Sequence, residues 1–347
     1  MRAVLFHDIG SIHVGDYPDP ALVDPGDVIV KVDSAAICDS DLHLLHGRIP
    51  GMRPDSPIGH EFVGTITQAG SDVKHFKTGD RVVGSFLIAC GRCWFCARHE
   101  YSNCDQLWVL GYGMFTGDLD GAQAEYVRVP IADLNLHAVD PSLSDEQAVF
   151  AGDILTTGVY ICERAGIKPG DTVAIVGAGP VGLFTLMNAR AYAPERILMV
   201  DMAADRLKMA ESLGAIPLDS TKVNPVVEIQ RATGERGADV VIECVGLAPA
   251  FTTALNAVRA GGTVAVIGVH SDLSYDFPLG EVWRRGVTIV MGATCNVQEN
   301  WDKALDLVKE GTVDPTILIT HRLPLEDAVE GYKLFEAHEA LKVILKP

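Results

Sequence analysis

Along the first 150 residues, apolar positions come in short runs broken by Gly, Pro and Asp. Residues 28–32, 62–67, 81–83 and 126–129 are runs of this kind, with Pro25-Gly26-Asp27 and Thr78-Gly79-Asp80 as typical turn sequences before them. Short apolar runs bounded by turn formers predict strands, so this half is mostly β. The opening MRAVLFHDIG reads as a further strand. From about Val149 the rhythm changes. β-rich runs at 172–176, 196–200, 240–243 and 263–268 alternate with helical patterns, including 205–213 and 249–258. Such alternation predicts βαβ units and a parallel sheet. Near Gly292 it ends, and the pattern predicts helices over 298–309 and 325–335 flanking a strand at 316–320.

A chain of 347 residues is too long for one small core, which predicts about two domains. No repeat, low-complexity tract or long linker interrupts it. Residues 172–189 are uncharged over nearly the length that spans a bilayer, but they contain Gly177, Gly179, Pro180 and Gly182. Those residues suit a strand–turn–helix better than a lipid-facing helix. The amino terminus lacks the apolar stretch and small-residue cleavage site of a signal peptide, so the expected location is cytoplasmic. Hydrophobic residues at 48% and charged residues at 21% match a globular chain and exclude wholesale disorder. Acidic side chains number 46 against 28 basic ones, a formal net charge of −18. That balance argues against nucleic acid or an anionic membrane as the main partner.

Gly177-Ala178-Gly179-Pro180-Val181-Gly182 has the GxGxxG spacing, a weak signal alone. Its setting strengthens it: a predicted strand precedes it, a helical pattern follows, and a second strand ends at Asp201. Glycines let the backbone approach a pyrophosphate, and the helix N-terminus supplies amide donors and a positive dipole. Asp201 would accept hydrogen bonds from ribose hydroxyls and repel a 2′-phosphate, favouring NAD over NADP. Arg206, five residues on, softens that preference. A glycine-rich turn in another α/β sheet, with Asp201 as a helix cap, is the plainer alternative.

Eight cysteines in a reducing compartment do not point to disulfides, and four of them crowd into Cys90, Cys93, Cys96 and Cys104. C-x2-C-x2-C-x7-C can close a tetrahedral zinc shell with no open position, the structural type of site. A nucleic-acid-binding zinc ribbon is disfavoured, since only Arg92 and Arg98 are basic between positions 90 and 104. Cys162, Cys244 and Cys295 lack metal-like spacing and read as buried thiols.

Other candidates are dispersed: Cys38 in Cys38-Asp39-Ser40-Asp41-Leu42-His43, His60 and Glu61 after Gly59, and Asp153 where the two halves meet. A thiolate, an imidazole and a carboxylate can hold a catalytic zinc and leave a position for substrate. Singly each is ambiguous: a lone Cys is usually core, a lone His usually a satisfied polar group. Glu61 reads either as a group behind the ligands or as an intermittent fourth ligand.

In this order, C-x-S-x-x-H, GHE, the four-cysteine loop and the glycine fingerprint resemble the zinc-dependent alcohol dehydrogenases of the medium-chain dehydrogenase/reductase superfamily. The resemblance spans essentially the whole chain. It implies an α/β protein with a GroES-like β-rich catalytic domain (1–152 and 295–347) around a Rossmann NAD-binding domain (153–294). It further implies two zinc ions per chain, a catalytic one on Cys38, His60 and Asp153 with Glu61 near, and a structural one on the four-cysteine loop. Asp153 stands where liver-type enzymes place a second Cys, as in some bacterial secondary-alcohol enzymes. With zinc, Cys⁻, neutral His and Asp⁻ sum to zero charge, just as two Cys⁻ and His do. Asp39 stands where liver-type enzymes have a basic residue by the cofactor phosphates. By the same resemblance Ser40 and His43 relay a proton, although a helix cap and a surface histidine are the plain readings. Thr157 and Val181 border the nicotinamide, and Val269 joins the cofactor-binding group.

The implied reaction is reversible hydride transfer between a primary or secondary alcohol and NAD. A polyol, amino-alcohol or formaldehyde-processing dehydrogenase shares every motif, and a non-catalytic NAD- and zinc-binding protein is the reading from another class. Phe86, Trp108 and Met291 are expected pocket walls favouring apolar alcohols and ketones over polyols. The expected assembly is a homo-oligomer, dimer or tetramer.

Overall fold

The computed structural model describes residues 1–270 and 274–347. They fall into two compact units, Met1–Thr156 with Asn296–Pro347, and Thr157–Cys295. The division lies four residues beyond the expected 152/153. Asp153 closes the 3₁₀ turn Val149–Gly152, whose residues are all buried. That turn packs against strands Val28–Ile37, Glu61–Ala69 and Arg81–Gly84, so Asp153 stays with the β-rich unit.

The first unit is built on a seven-stranded mixed sheet. Its path runs Leu136–Ala138, Arg81–Gly84, Glu61–Ala69, Val28–Ile37, Lys342–Lys346 and Ile319–Pro324, with Tyr126–Val129 also paired to Val28–Ile37. Val28, Val30 and Val32 alternate into a core with Phe62, Ile66 and Val82, as period-2 patterning requires. The last strand, Lys342–Lys346, is antiparallel to Val28–Ile37, with Ile344 opposite Ala36. A smaller three-stranded sheet joins Ser11–Asp16, Arg2–Asp8 and Ser56–Pro57.

The second unit has a six-stranded parallel sheet in the order Ile216–Asp219, Arg196–Asp201, Thr172–Val176, Ala238–Glu243, Val258–Val266, Thr288–Met291. In chain order within the unit this is 3-2-1-4-5-6, the doubly wound order of dinucleotide-binding sheets. The uncharged run 172–189 divides into strand Thr172–Val176 and helix Pro180–Ala189. Among the described residues no helix is long and apolar enough to cross a membrane.

Two expectations need correction. The sequence pattern predicts a strand at 316–320, but Pro315–Leu318 is a 3₁₀ turn and the strand is Ile319–Pro324. Asp314 caps that turn by accepting from the Thr316 N–H at 3.0 Å, and Pro315 fixes a helical φ, so the β-branched residues that follow are overruled locally. Cys244 is partly exposed, whereas Cys162 and Cys295 are buried.

Candidate active site and metal centres

Strand Val28–Ile37 ends at Cys38, which caps the helix Asp39–Leu45. Asp41 Oδ2 accepts from the Cys38 N–H at 3.0 Å, closing a capping box that fixes the thiol's direction. His60 precedes strand Glu61–Ala69 and follows Gly59, whose φ of +92° favours glycine. A Cβ at Gly59 would lie 2.2 Å from the Gln123 side chain.

These turns bring three distant segments together. Asp153 Oδ2 lies 3.1 Å from His60 Nε2 and 3.7 Å from Cys38 Sγ. One donor atom from each of the three residues lies within 4.8 Å of the others. Ser40 Oγ sits 3.3 Å from Cys38 Sγ and 3.4 Å from His60 Nε2. The cluster is buried apart from partial exposure of Asp153 and Ser40.

Without a cation the cluster is electrostatically awkward. Burial opposes a charged His60, yet Asp41 and Asp153 overcome it and hold the imidazole well above its ordinary value. Burial first, then the Asp153 charge, pushes the Cys38 thiol up against the pull of Lys342. Cys38 Sγ, His60 Nε2 and Asp153 Oδ2 face one another with no other cation between them among the described residues, so the donor set fits a zinc ion with an open position.

Asp41 is a residue of this cluster that the sequence did not disclose. Its Oδ1 faces His60 Nδ1 at 3.2 Å, off the line of a good hydrogen bond, and neither atom has another hydrogen-bond partner among the described residues. A carboxylate behind a metal-binding imidazole orients the ring and raises its basicity. Gln123 Nε2 donates to Asp41 Oδ2 at 3.1 Å, and the Tyr332 hydroxyl donates to Gln123 Oε1 at 2.8 Å. The only hint in the sequence was Asp41 at the third position of a helix. Tyr112, unmarked in the sequence, and Phe86, an expected pocket wall, have ring centroids 5.4 Å and 5.9 Å from that of His60.

Glu61 turns to Lys342, and both side chains are fully buried. Burial pushes Glu61 up to about 7 against the pull of Lys342. The Glu61 carboxylate is thus held by Lys342, while the metal-type cluster comprises Cys38, His60 and Asp153. His43 lies on the same short helix as Ser40. Burial, then the Arg48 charge, lowers its pKa, and Arg48 Nη1 donates to His43 Nδ1 across 3.4 Å.

In the cysteine loop, Cys93 Sγ is 3.5 Å from Cys96 Sγ and 3.9 Å from Cys104 Sγ. Zinc–sulfur bonds of about 2.3 Å give tetrahedral sulfur separations of about 3.8 Å, so the spacing fits. Backbone N–H groups of Cys90 and Gln106 point at Cys104 Sγ at 3.2 Å and 3.4 Å. Such donors favour thiolates: backbone hydrogen bonds draw Cys93 down to about 6, whereas burial outweighs them at Cys104 and Cys96 and pushes those thiols up. All eight cysteines are free of disulfides.

In the second unit, Gly177 has φ +102° and links strand Thr172–Val176 to helix Pro180–Ala189, capped at Gly179. A Cβ at Gly182 would fall 1.8 Å from the Gly177 carbonyl oxygen, so helix and strand can meet only there without a side chain. Asp201 ends strand Arg196–Asp201 and accepts from the Ala178 N–H at 2.6 Å, tying strand end to glycine loop. Its other oxygen accepts from Met202 and Ala203 N–H groups at 2.7 Å and 2.8 Å. The Arg206 guanidinium lies 3.7 Å from the place of a Gly179 Cβ. Val181 is partly exposed on the same helix, Thr157 lies in helix Ile154–Ala165, and Val269 is exposed beyond strand Val258–Val266. Of the expected pocket walls, Trp108 packs on the β-rich core over Gly117, whose Cβ would meet the indole at 2.2 Å. Met291 ends the edge strand of the parallel sheet and is 56% exposed.

Residues 24–139 match the alcohol dehydrogenase GroES-like domain family, and residues 180–310 match the zinc-binding dehydrogenase family. A zinc-type alcohol dehydrogenase-like protein of Bacillus subtilis is 37% identical, with all of both chains covered. An alcohol dehydrogenase from Thermus sp. ATN1 superposes with a TM-score of 0.97 at 44% identity, covering 100% of this chain and 99% of that one. A Sinorhizobium meliloti protein assigned as a zinc-binding dehydrogenase, solved with NADP, superposes at 0.87 with 31% identity, covering 100% and 99%.

Proposed function

The chain belongs to the zinc-dependent alcohol dehydrogenase family, and from that premise we propose a division of labour among its residues. The general reaction is oxidoreduction of an alcohol by a nicotinamide cofactor. Cys38, His60 and Asp153 are the ligands of a catalytic zinc, and Cys90, Cys93, Cys96 and Cys104 hold a second, structural one. When bound, the catalytic ion acidifies the alcohol hydroxyl and the nicotinamide accepts hydride.

The protein's own groups do the rest. Asp41 fixes the His60 ring through Nδ1, leaving Nε2 for the metal. Ser40 Oγ, beside both Cys38 Sγ and His60 Nε2, is positioned to take the hydroxyl proton, and His43 is its outlet to water. Phe86 and Tyr112, flanking His60, give that proton transfer an apolar wall that suits alcohols with aliphatic or aromatic substituents. Glu61 remains with Lys342 and acts behind the ligands. Gly177, Gly179, Pro180, Val181 and Gly182 cradle the pyrophosphate. Asp201 holds the adenosine ribose and favours NAD, while Arg206 at the glycine loop admits some NADP. Thr157 and Val269 complete the cofactor-binding group. A cytoplasmic homo-oligomer, dimer or tetramer, belongs to the same reading.

The observation that carries this reading is the convergence of Cys38, His60 and Asp153 on one buried point with a hydroxyl beside it. The test is a panel of aliphatic, benzylic and polyol alcohols with NAD and NADP, run with metal analysis. About two zinc ions per chain and NADH formation from apolar alcohols are expected. The Cys38→Ala variant loses one zinc and the activity. Unchanged alcohol oxidation in Cys38→Ala, or a clear preference for sorbitol, overturns the assignment it addresses.

A further inference from the structure

The small N-terminal sheet gathers two imidazoles and a carboxylate on the surface, with none of the ligands assigned above. We propose that His7, His13 and Asp55 form a separate site for a divalent transition-metal ion of the zinc or copper class.

The placement follows from strand register. Leu5 pairs with His13 across strands Arg2–Asp8 and Ser11–Asp16, so the two share a face. His7 is two residues beyond Leu5 and returns to that face, next to a register shift between Phe6 and Asp8. The two imidazoles meet edge to face with centroids 5.8 Å apart. Asp55 comes from the turn before Ser56–Pro57, which pairs with Arg2–Asp8 on its other side. Its backbone is left-handed, φ +57°, and its N–H donates to the Phe6 carbonyl at 2.5 Å. That contact aims the carboxylate at the histidines: Asp55 Oδ1 is 3.0 Å from His7 Nδ1 and 3.9 Å from His13 Nε2.

One donor atom from each residue lies within 4.8 Å of the others. An ion with bonds of about 2.1 Å draws donors to about 3.4 Å, so a separation of up to 4.8 Å must close by up to about 1.4 Å. The side chains of His7, His13 and Asp55 are 60%, 47% and 56% exposed, which leaves them free to rotate that far. No lysine or arginine among the described residues pairs with Asp55. The nearby Arg53 turns instead to Asp118 and Asp120, at 2.5 Å and 2.8 Å. Imidazole nitrogen with one carboxylate oxygen selects copper, nickel or zinc over magnesium or calcium, which take nearly all-oxygen shells. The net charge of −18 raises the local concentration of cations. Because the ligands come from two strands of one small sheet and from the turn that leads into its third, an ion there clamps that sheet and stabilises the folded chain by mass action.

Zinc-loaded enzyme, its metal content measured beforehand, is titrated with further Zn²⁺ by calorimetry and equilibrium dialysis. The wild-type chain is expected to take up one additional ion and to melt higher with it. His7→Gln and His13→Gln should each weaken this uptake at least tenfold. The double variant should abolish both uptake and the melting shift, while alcohol oxidation before the added metal stays unchanged. Absence of an additional ion in the wild type, or the same uptake by the double variant, overturns the proposal. Loss of alcohol dehydrogenase activity in Cys38→Ala bears on the catalytic reading alone, so the two fail separately.

Discussion

Replacing Lys342 with methionine removes the one ion-pair partner that the buried Glu61 carboxylate has among the described residues. Glu61 opens one neighbour of strand Val28–Ile37 and Lys342 opens the other, so their side chains meet across that strand with no exposure to solvent. Glu61 Oε1 has no hydrogen-bond partner among the described residues, and the Lys342 ammonium lies 5.2 Å from the Phe150 ring centroid. Stripping one member from a buried pair leaves the carboxyl unpaired, so that it must take up a proton or stay charged in the interior, and costs about 3–5 kcal/mol, whereas replacing both by apolar groups is often neutral. For a unit of about 200 residues this corresponds to a fall of about 6–20 °C in melting temperature. The prediction is therefore a double-mutant cycle. Lys342→Met should melt far below the wild type, and Lys342→Met with Glu61→Leu should recover most of the loss. Calorimetry on samples matched for zinc content measures it. A double variant as unstable as the single one, or a single variant within 2 °C of wild type, would refute the unpaired-carboxyl argument.

Three further outcomes follow from the geometry. Cys93→Ser should lower bound zinc from about two to about one per chain by metal analysis, with the remaining ion lost only in Cys38→Ala; retention of both ions in Cys93→Ser counts against a four-sulfur site. Gly182→Ala forces a Cβ to within 1.8 Å of the Gly177 oxygen, so NADH affinity by fluorescence should fall at least tenfold with zinc content unchanged. If His43 accepts the proton, only its neutral form works, and activity rises with pH through its pKa. Burial and Arg48 lower that pKa, so the rising limb of kcat should sit below the ordinary imidazole range. Arg48→Ala should move the limb to higher pH, and a limb that stays in place removes His43 from the relay.

What the chain encodes locally was legible in its order. The four cysteines fall within fifteen consecutive residues, so their thiols are near one another in almost any compact loop, and spacing alone suggested the metal. The glycine fingerprint is local in the same way: a strand, a tight turn and a helix start are adjacent in the chain. Its alternation with further strands and helices already implies a parallel sheet. Even here local context misled at residues 316–320, where a proline and an aspartate cap outweigh β-branched neighbours.

Tertiary structure decided everything that depends on non-local approach. Cys38, His60 and Asp153 are isolated in sequence, and only the packing of the Val149–Gly152 turn on the mixed sheet brings them within bonding reach of one ion. Nothing in periodicity marks Asp41 as the carboxylate behind His60, because a helix-capping residue and an imidazole-orienting residue look the same in a sequence. Lys342 lies 281 positions from Glu61, and His7 and His13 join Asp55 only through strand register. The sequence by itself determined which chemistry the chain carries, since ligand types and short-range motifs are properties of neighbouring residues. The fold alone determined which groups share a buried point, and burial is what turns an ordinary Asp, His or Lys into one with a fixed charge and direction.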